Sequence, residues 1–228
     1  MIVNKFQYKP ISRTDDNGKR LYLLPDGSKV PSVTTILDAT KTAEKMRGLM
    51  EWRKRVGNAK ATQITTEAAN VGTVMHKKLE EYCLGTNKPA GSNHIQKQAH
   101  DMAQVIIDKG LVHMNEVWGV EVNLYHSGLY AGTTDCLGEW KGVPAIIDFK
   151  QTNKPKKDEW IEDYRIQLAA YIEAHNSMFG TDIKRGVVLM CSRNLDYQQW
   201  VIEGDVLKEA TNQWWLRVEE YYRNIGLI

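Results

Sequence analysis

The sequence lacks a cysteine framework. Its 228 residues hold 3 cysteines, and Cys83, Cys136 and Cys191 lie far apart with no C-x-x-C pair among them. This excludes a disulfide scaffold and a cysteine-rich zinc site, and it predicts reduced core thiols in an intracellular protein. A dominant charge is also missing. The 30 Lys and Arg against 28 Asp and Glu leave a net +2, so the molecule as a whole is not a polycation. Any surface for nucleic acid must be a local concentration of charge. No apolar run approaches the ~18 residues of a membrane span. The opening stretch MIVNKFQYKP has neither the apolar core of a secretory signal nor the Arg- and Ser-rich character of a transit peptide. These absences predict a soluble protein of the cytoplasm with no membrane partner. Internal repeats and low-complexity linkers are absent too. What is present is 42% hydrophobic and 25% charged residues, enough for one good core and too apolar for disorder.

Turn and helix signals predict the order of elements. KFQYKPIS and KRLYLLP flank DDNG and read as a β-hairpin. A second turn, PDGS, leads to VPSVTTIL, where Pro31 and Ser32 mark the start of a helix. Residues 41–60 read as a helix and form the most basic segment. Lys41, Lys45, Arg47, Arg53, Lys54, Arg55 and Lys60 face only Glu44 and Glu51 there, as a solvated helix face or a phosphate-contacting arm. The next helix is expected to begin at Thr65 or Thr66 and stop at Gly85, and another to run to Gly110. Three strands follow, VWGVEVNLY, LYAGTTDCLGEW and VPAIIDFKQT, the last two joined by a turn at Lys141–Gly142. Then come the helix WIEDYRIQLAAYIEAHNSMFG, the strands RGVVLMCS and QQWVIEG, and a last helix with a core stripe of Leu207, Trp214, Val218, Tyr221 and Ile225. This order predicts an α/β (α+β) fold with a central mixed sheet flanked by helices and a basic, helical N-terminal portion. We expect a single domain over 1–228, divided into an N-terminal β-hairpin at 1–30, a helical lobe at 31–110 and a core at 111–228.

One strand raises a chemical question. In PAIIDFKQT an apolar run leads into Asp148, and alternation points Asp148 and Lys150 to the same side. A buried carboxylate needs a cation or it neutralises. An exposed Asp–Lys pair is the plain reading. The hairpin through Lys141–Gly142 argues against it, because it brings Asp135 to the strand beside Asp148. Two carboxylates side by side repel unless a cation lies between them. Hard divalent ions bind one or two carboxylates, keep several waters and accept phosphate oxygens, and an adjacent lysine can orient a water. His76 and Glu80 share a helix face upstream, and Gln167 and Tyr171 share one downstream, with Tyr164 about one turn earlier.

The motif order Gly72-x-x-x-His76, Gly132-x-x-Asp135, Asp148-x-Lys150 and Gln167-x-x-x-Tyr171 resembles the RecB-like exonuclease branch of the PD-(D/E)XK nuclease superfamily. VPSVTTIL at 30–37 resembles the mitochondrial genome maintenance exonuclease group and its phage relatives, and with the latter it implies the cytoplasm of a bacterial or phage-infected cell. The resemblance implies a metal, Mg2+ or Mn2+, held by Asp135, Asp148, the Phe149 carbonyl and His76. Lys150 would assist the attacking water, and Gln167 and Tyr171 would support the site. Some members carry an iron–sulfur cluster on four cysteines, which three cysteines cannot supply. The implied activity is exonucleolytic hydrolysis of DNA, single-stranded DNA preferred, in replication, recombination or repair beside the proteins of those processes. A structure-specific or restriction-like endonuclease and a non-catalytic DNA-binding module are the alternatives. After the Asp148 strand, Lys154, Lys156 and Lys157 are placed to grip phosphates and Trp160 to stack on a base, with Arg53 and Arg55 of the basic helix as further contacts.

Overall fold

The computed structural model describes residues 2–16, 19–86 and 88–227. Its centre is a five-stranded sheet of β4 (Met114–His126), β5 (Tyr130–Trp140), β6 (Val143–Thr152), β7 (Gly186–Ser192) and β8 (Tyr197–Ile202), in that spatial order. Among these five strands β6 and β7 pair in parallel and the other neighbours antiparallel. A parallel pair needs a crossover, and α5 (Glu162–Phe179) supplies it. The tight β5–β6 turn places Lys141 and Gly142 at φ of 51° and 74°, the left-handed geometry of a two-residue hairpin.

Alternation along the strands gives the sheet two apolar faces. Leu137, Ile146 and Val188 pack under α5, α6 (Gly204–Asn224) and the short α1 (Val33–Ala39). Cys136, Ile147, Phe149 and Leu189 pack under α3 (Asn58–Cys83) and α4 (His94–Lys109). Helix α1, within the expected helical lobe, therefore lies on the opposite face from α3 and α4. Asn93 and Gln96 close a reciprocal capping box on α4, which satisfies two backbone donors at its start. None of the described helices is long and apolar enough to cross a membrane.

The N-terminal region forms a separate three-stranded sheet, β1 (Ser12–Asp16), β2 (Lys19–Leu23) and β3 (Lys29–Pro31). The first strand starts later than the expected KFQYKPIS, the third was not expected, and the turn placed at Asp15–Gly18 lies partly outside the described residues. Ser32 caps α1 by accepting from the Thr35 N–H at 2.9 Å, as VPSVTTIL suggested.

The basic stretch forms α2 (Ala43–Val56), which ends at Gly57 with φ 84°. Helix α3 then begins at Asn58, well before Thr65. The Thr65 hydroxyl does not cap a helix start but donates to the Ala61 carbonyl one turn back, at 3.0 Å. In the C-terminal stripe, Leu207, Trp214, Val218 and Tyr221 are buried and Ile225 is exposed. The chain has already left α6 at Ile225.

Candidate active site

The antiparallel register Cys136↔Ile147 sets Asp135 directly across from Asp148. Asp135 Oδ2 accepts the Phe149 N–H at 2.6 Å, and its other oxygen lies 3.2 Å from His76 Nδ1. Helix α3 thus delivers His76 to the middle of β5. Lys150 ion-pairs with Asp148, and its ammonium lies 5.0 Å from the Tyr164 ring centre. From α5, Gln167 Nε2 donates to the Tyr171 hydroxyl at 3.1 Å. His76, Glu80, Asp135, Asp148, Lys150, Gln167 and Tyr171 all line one cavity of about 760 Å³.

Gly132 owes its place in the motif to Tyr171. A Cβ on Gly132 would come within 2.6 Å of the Tyr171 ring, so the α5 tyrosine packs against β5 only where that strand carries no side chain. Two motifs 39 residues apart, by the numbering, are one packing contact.

Sequence reasoning passed over Glu121. On β4 the register Val120↔Cys136 and Val122↔Thr134 puts Glu121 opposite Asp135. Its φ of 51° is costly for a residue with a Cβ, and such strain gathers at functional sites. Ligand atoms of His76, Glu121 and Asp135 all lie within 4.8 Å of one another. The signal was an acid in the middle of β4, legible only once β4 is paired with β5. Glu80 lines the cavity but is held by Lys77 Nζ at 2.9 Å.

Burial and mutual repulsion hold two of the acids above their ordinary range. Burial pushes the Asp148 carboxyl up to about 6, with Asp135 adding to the shift and Lys150 opposing it. Burial and then the Asp135 charge push Glu121 up to about 7, although its side chain still reaches solvent. At Asp135 burial also opposes ionisation, but His76, Lys150 and the Phe149 N–H outweigh it and hold the carboxyl below its usual range. The carboxylates of Glu121 and Asp135 and the imidazole of His76 within 4.8 Å of one another, with Asp148 on the neighbouring strand, form a donor set that fits a hard divalent cation.

The other sequence candidates are not brought to this cavity. Lys154, Lys157 and Trp160 lie exposed on the loop after β6, with Trp160 55% exposed and Lys157 Nζ 5.3 Å from its ring centre. The main chain of Lys156 is held by the Gln198 side chain through bonds of 2.7 Å in both directions. Arg53 donates to Thr62 Oγ1 at 3.2 Å, and Arg55 is exposed on α2.

The chain matches no established family profile. It is 28% identical over 209 residues to mitochondrial genome maintenance exonuclease 1 of Xenopus tropicalis, covering 84% of this chain and 57% of that protein. The mouse protein of the same name is 26% identical over 220 residues, covering 91% and 63%. The human one is 25% identical over 205 residues, covering 84% and 58%. The chain thus spans about three-fifths of the length of these relatives. Among solved structures, a Eubacterium rectale protein described as a candidate exonuclease superposes with a TM-score of 0.50 at 16% identity, over 69% of each chain. That is a likeness of fold alone. The mitochondrial name of the relatives overturns the expected location in a bacterial or phage-infected cytoplasm. The character of the opening stretch was too weak a basis for that expectation, since compartment is not written in the folded core. The similarity in sequence to these exonucleases, together with the mixed sheet and the order of motifs, supports the resemblance to the PD-(D/E)XK nuclease superfamily.

Proposed function

We propose that the chain is a metal-dependent deoxyribonuclease that hydrolyses phosphodiester bonds from single-stranded DNA ends, in replication, recombination or repair. The observation that carries this reading is the facing pair Asp135 and Asp148, with His76 on one acid and Lys150 on the other. DNA as substrate, and exonucleolytic attack, rest on the relatives named for genome maintenance.

Asp135 and Asp148, with the Phe149 carbonyl, His76 and Glu121, would hold Mg2+ or Mn2+. Bound there, the ion would supply Lewis-acid polarisation of a phosphoryl oxygen and acidify a water. Burial disfavours the Lys150 ammonium, but the charges of Asp148 and Asp135 outweigh it and raise its pKa. Lys150 therefore stays protonated and acts as a donor that orients the attacking water, not as a base. Burial likewise keeps the Tyr171 phenol well above its ordinary range. It stays a neutral donor toward the scissile phosphate, aimed by Gln167. In-line attack would expel the 3′ oxygen and leave a 5′-phosphate. Lys154, Lys156, Lys157, Trp160, Arg53 and Arg55 would contact the strand outside the cavity.

The test uses one DNA strand in two forms, linear with a label at either end and ligated into a circle, with Mg2+ or Mn2+. Loss of the linear form, an intact circle and an inactive Asp148→Ala variant are expected. A cut circle would favour the endonuclease reading. No cleavage with either metal would refute the proposal and leave a DNA-binding module.

A further inference from the structure

The N-terminal three-stranded sheet has no part in the chemistry above, yet it is fastened to the catalytic strand. The buried Tyr22 of β2 meets Thr133 Oγ1 through its hydroxyl at 3.1 Å, and Thr133 also accepts from Asn123 Nδ2 at 2.9 Å. Ser32 bridges to Ala131. Thr133 is two residues from Asp135, so this small sheet is registered to the metal-binding acids.

The register Arg13↔Tyr22 and Asp15↔Arg20 sets Arg13, Arg20 and Tyr22 on one face of the hairpin, since cross-strand partners share a face. That face turns to the site, and Arg13 and Arg20 line the same cavity as Asp135 and Asp148. The Arg20 backbone is fixed on both sides. Its N–H donates to Thr35 Oγ1 at 3.2 Å, and its carbonyl accepts the Ser32 N–H at 2.9 Å.

The charge inventory of the cavity singles these two residues out. Its described cationic side chains are Arg13, Arg20, His76, Lys77 and Lys150. His76 is engaged by Asp135, Lys77 by Glu80 and Lys150 by Asp148. Among the described residues, no acid pairs with either arginine, not even Asp15 across from Arg20. Two uncommitted guanidinium forks thus face a cavity whose floor holds Glu80, Glu121, Asp135 and Asp148. A polyanionic strand entering such a floor needs compensating charge close by, and the planar fork of arginine matches two phosphate oxygens at once.

We propose that Arg13 and Arg20 form a phosphate-binding subsite, in which the N-terminal sheet holds a phosphodiester next to the scissile one in a single polynucleotide strand. The inference rests on the nuclease reading for the direction of the strand, but its test does not need cleavage. The affinity of a fluorescent single-stranded oligonucleotide is measured in EDTA across a salt series, for the natural chain, Arg13→Ala/Arg20→Ala and Arg13→Lys/Arg20→Lys. A parallel set carries one neutral methylphosphonate at each linkage in turn.

The alanine pair is expected to flatten the slope of log affinity against log salt by about 0.7 for each phosphate it no longer neutralises. One methylphosphonate position should weaken binding to the natural chain and have no effect on the alanine pair. The lysine pair, which keeps the charge, should retain the slope. An unchanged slope, an unchanged methylphosphonate pattern or a natural chain that binds no oligonucleotide would each overturn the subsite. Equal melting temperatures for the three proteins exclude unfolding as the cause. Arginine-dependent binding by a chain that cuts nothing would sink the nuclease reading and leave the subsite standing. Cleavage with arginine-independent binding would do the reverse.

Discussion

Gly132→Ala tests whether the glycine and tyrosine motifs act as one contact. The new methyl would lie 2.6 Å from Tyr171 Cε1, 3.2 Å from its hydroxyl and 3.3 Å from Cζ. Carbon atoms rest about 3.5–4.0 Å apart, so the ring must retreat by roughly 1 Å. Tyr171 is 3% exposed, and its open side is the cavity it lines, so the ring can retreat only by shifting within the site. Overpacking of this kind costs about 1–3 kcal/mol, readable as a lower urea midpoint at unchanged slope. A displacement of about 1 Å in a positioning group can cost on the order of a hundredfold in rate, so turnover on single-stranded DNA should fall much further than stability. Tyr171→Leu in the same chain removes the ring; it should recover part of the stability and none of the activity. Tyr171→Phe should recover neither, because the closest clash is with a ring carbon. A Gly132→Ala protein within about 0.5 kcal/mol of the natural one, with undiminished cleavage, would refute the packing argument.

Further outcomes follow from the same geometry. Lys150→Ala leaves Asp148 buried without its cation; the metal-free protein should lose about 3–5 kcal/mol, and added Mn2+ should restore part of it in thermal melts. Glu121→Gln should weaken Mn2+ binding in calorimetry by on the order of tenfold, the scale at which even an outer partner of a metal site is felt; equal affinity would remove Glu121 from the ligand set. His175, fully buried beside Tyr8 and Thr181, is pushed down by burial to about 4 from its ordinary 6.5. The unfolded chain therefore binds the extra proton between those values. This contribution is complete above about pH 6.5 and is lost as pH falls toward 4, at up to about 1.4 kcal/mol per pH unit. In urea titrations from pH 4 to 7, His175→Gln should lack this part of the natural protein's pH dependence, and identical profiles would contradict it. Tyr22→Phe breaks the link to Thr133 and should cost about 1 kcal/mol, checked by the urea midpoint.

The local layout was legible in the sequence because it rests on short-range chemistry. Lys141–Gly142 dictates a tight hairpin, and that hairpin alone sets Asp135 against Asp148 by counting residues. Apolar periodicity marked α5 and α6, and the central mixed sheet followed from the order of elements. The start of α3 was misread because a threonine can cap a helix or bond back within one, and only the surrounding packing chooses. Glu121 stayed hidden because its role depends on the β4–β5 register, which a left-handed residue in mid-strand disguises. Nothing local in the sequence marks Arg13 and Arg20; only the docking of their sheet on β5 brings them to the cavity. The sequence by itself determined the motif set and the strand pair that carries the acids, since each depends on neighbours in the chain. Which cations are spent on acids and which are left for a substrate was decided only by the tertiary structure, because charge pairing is set by distance in space.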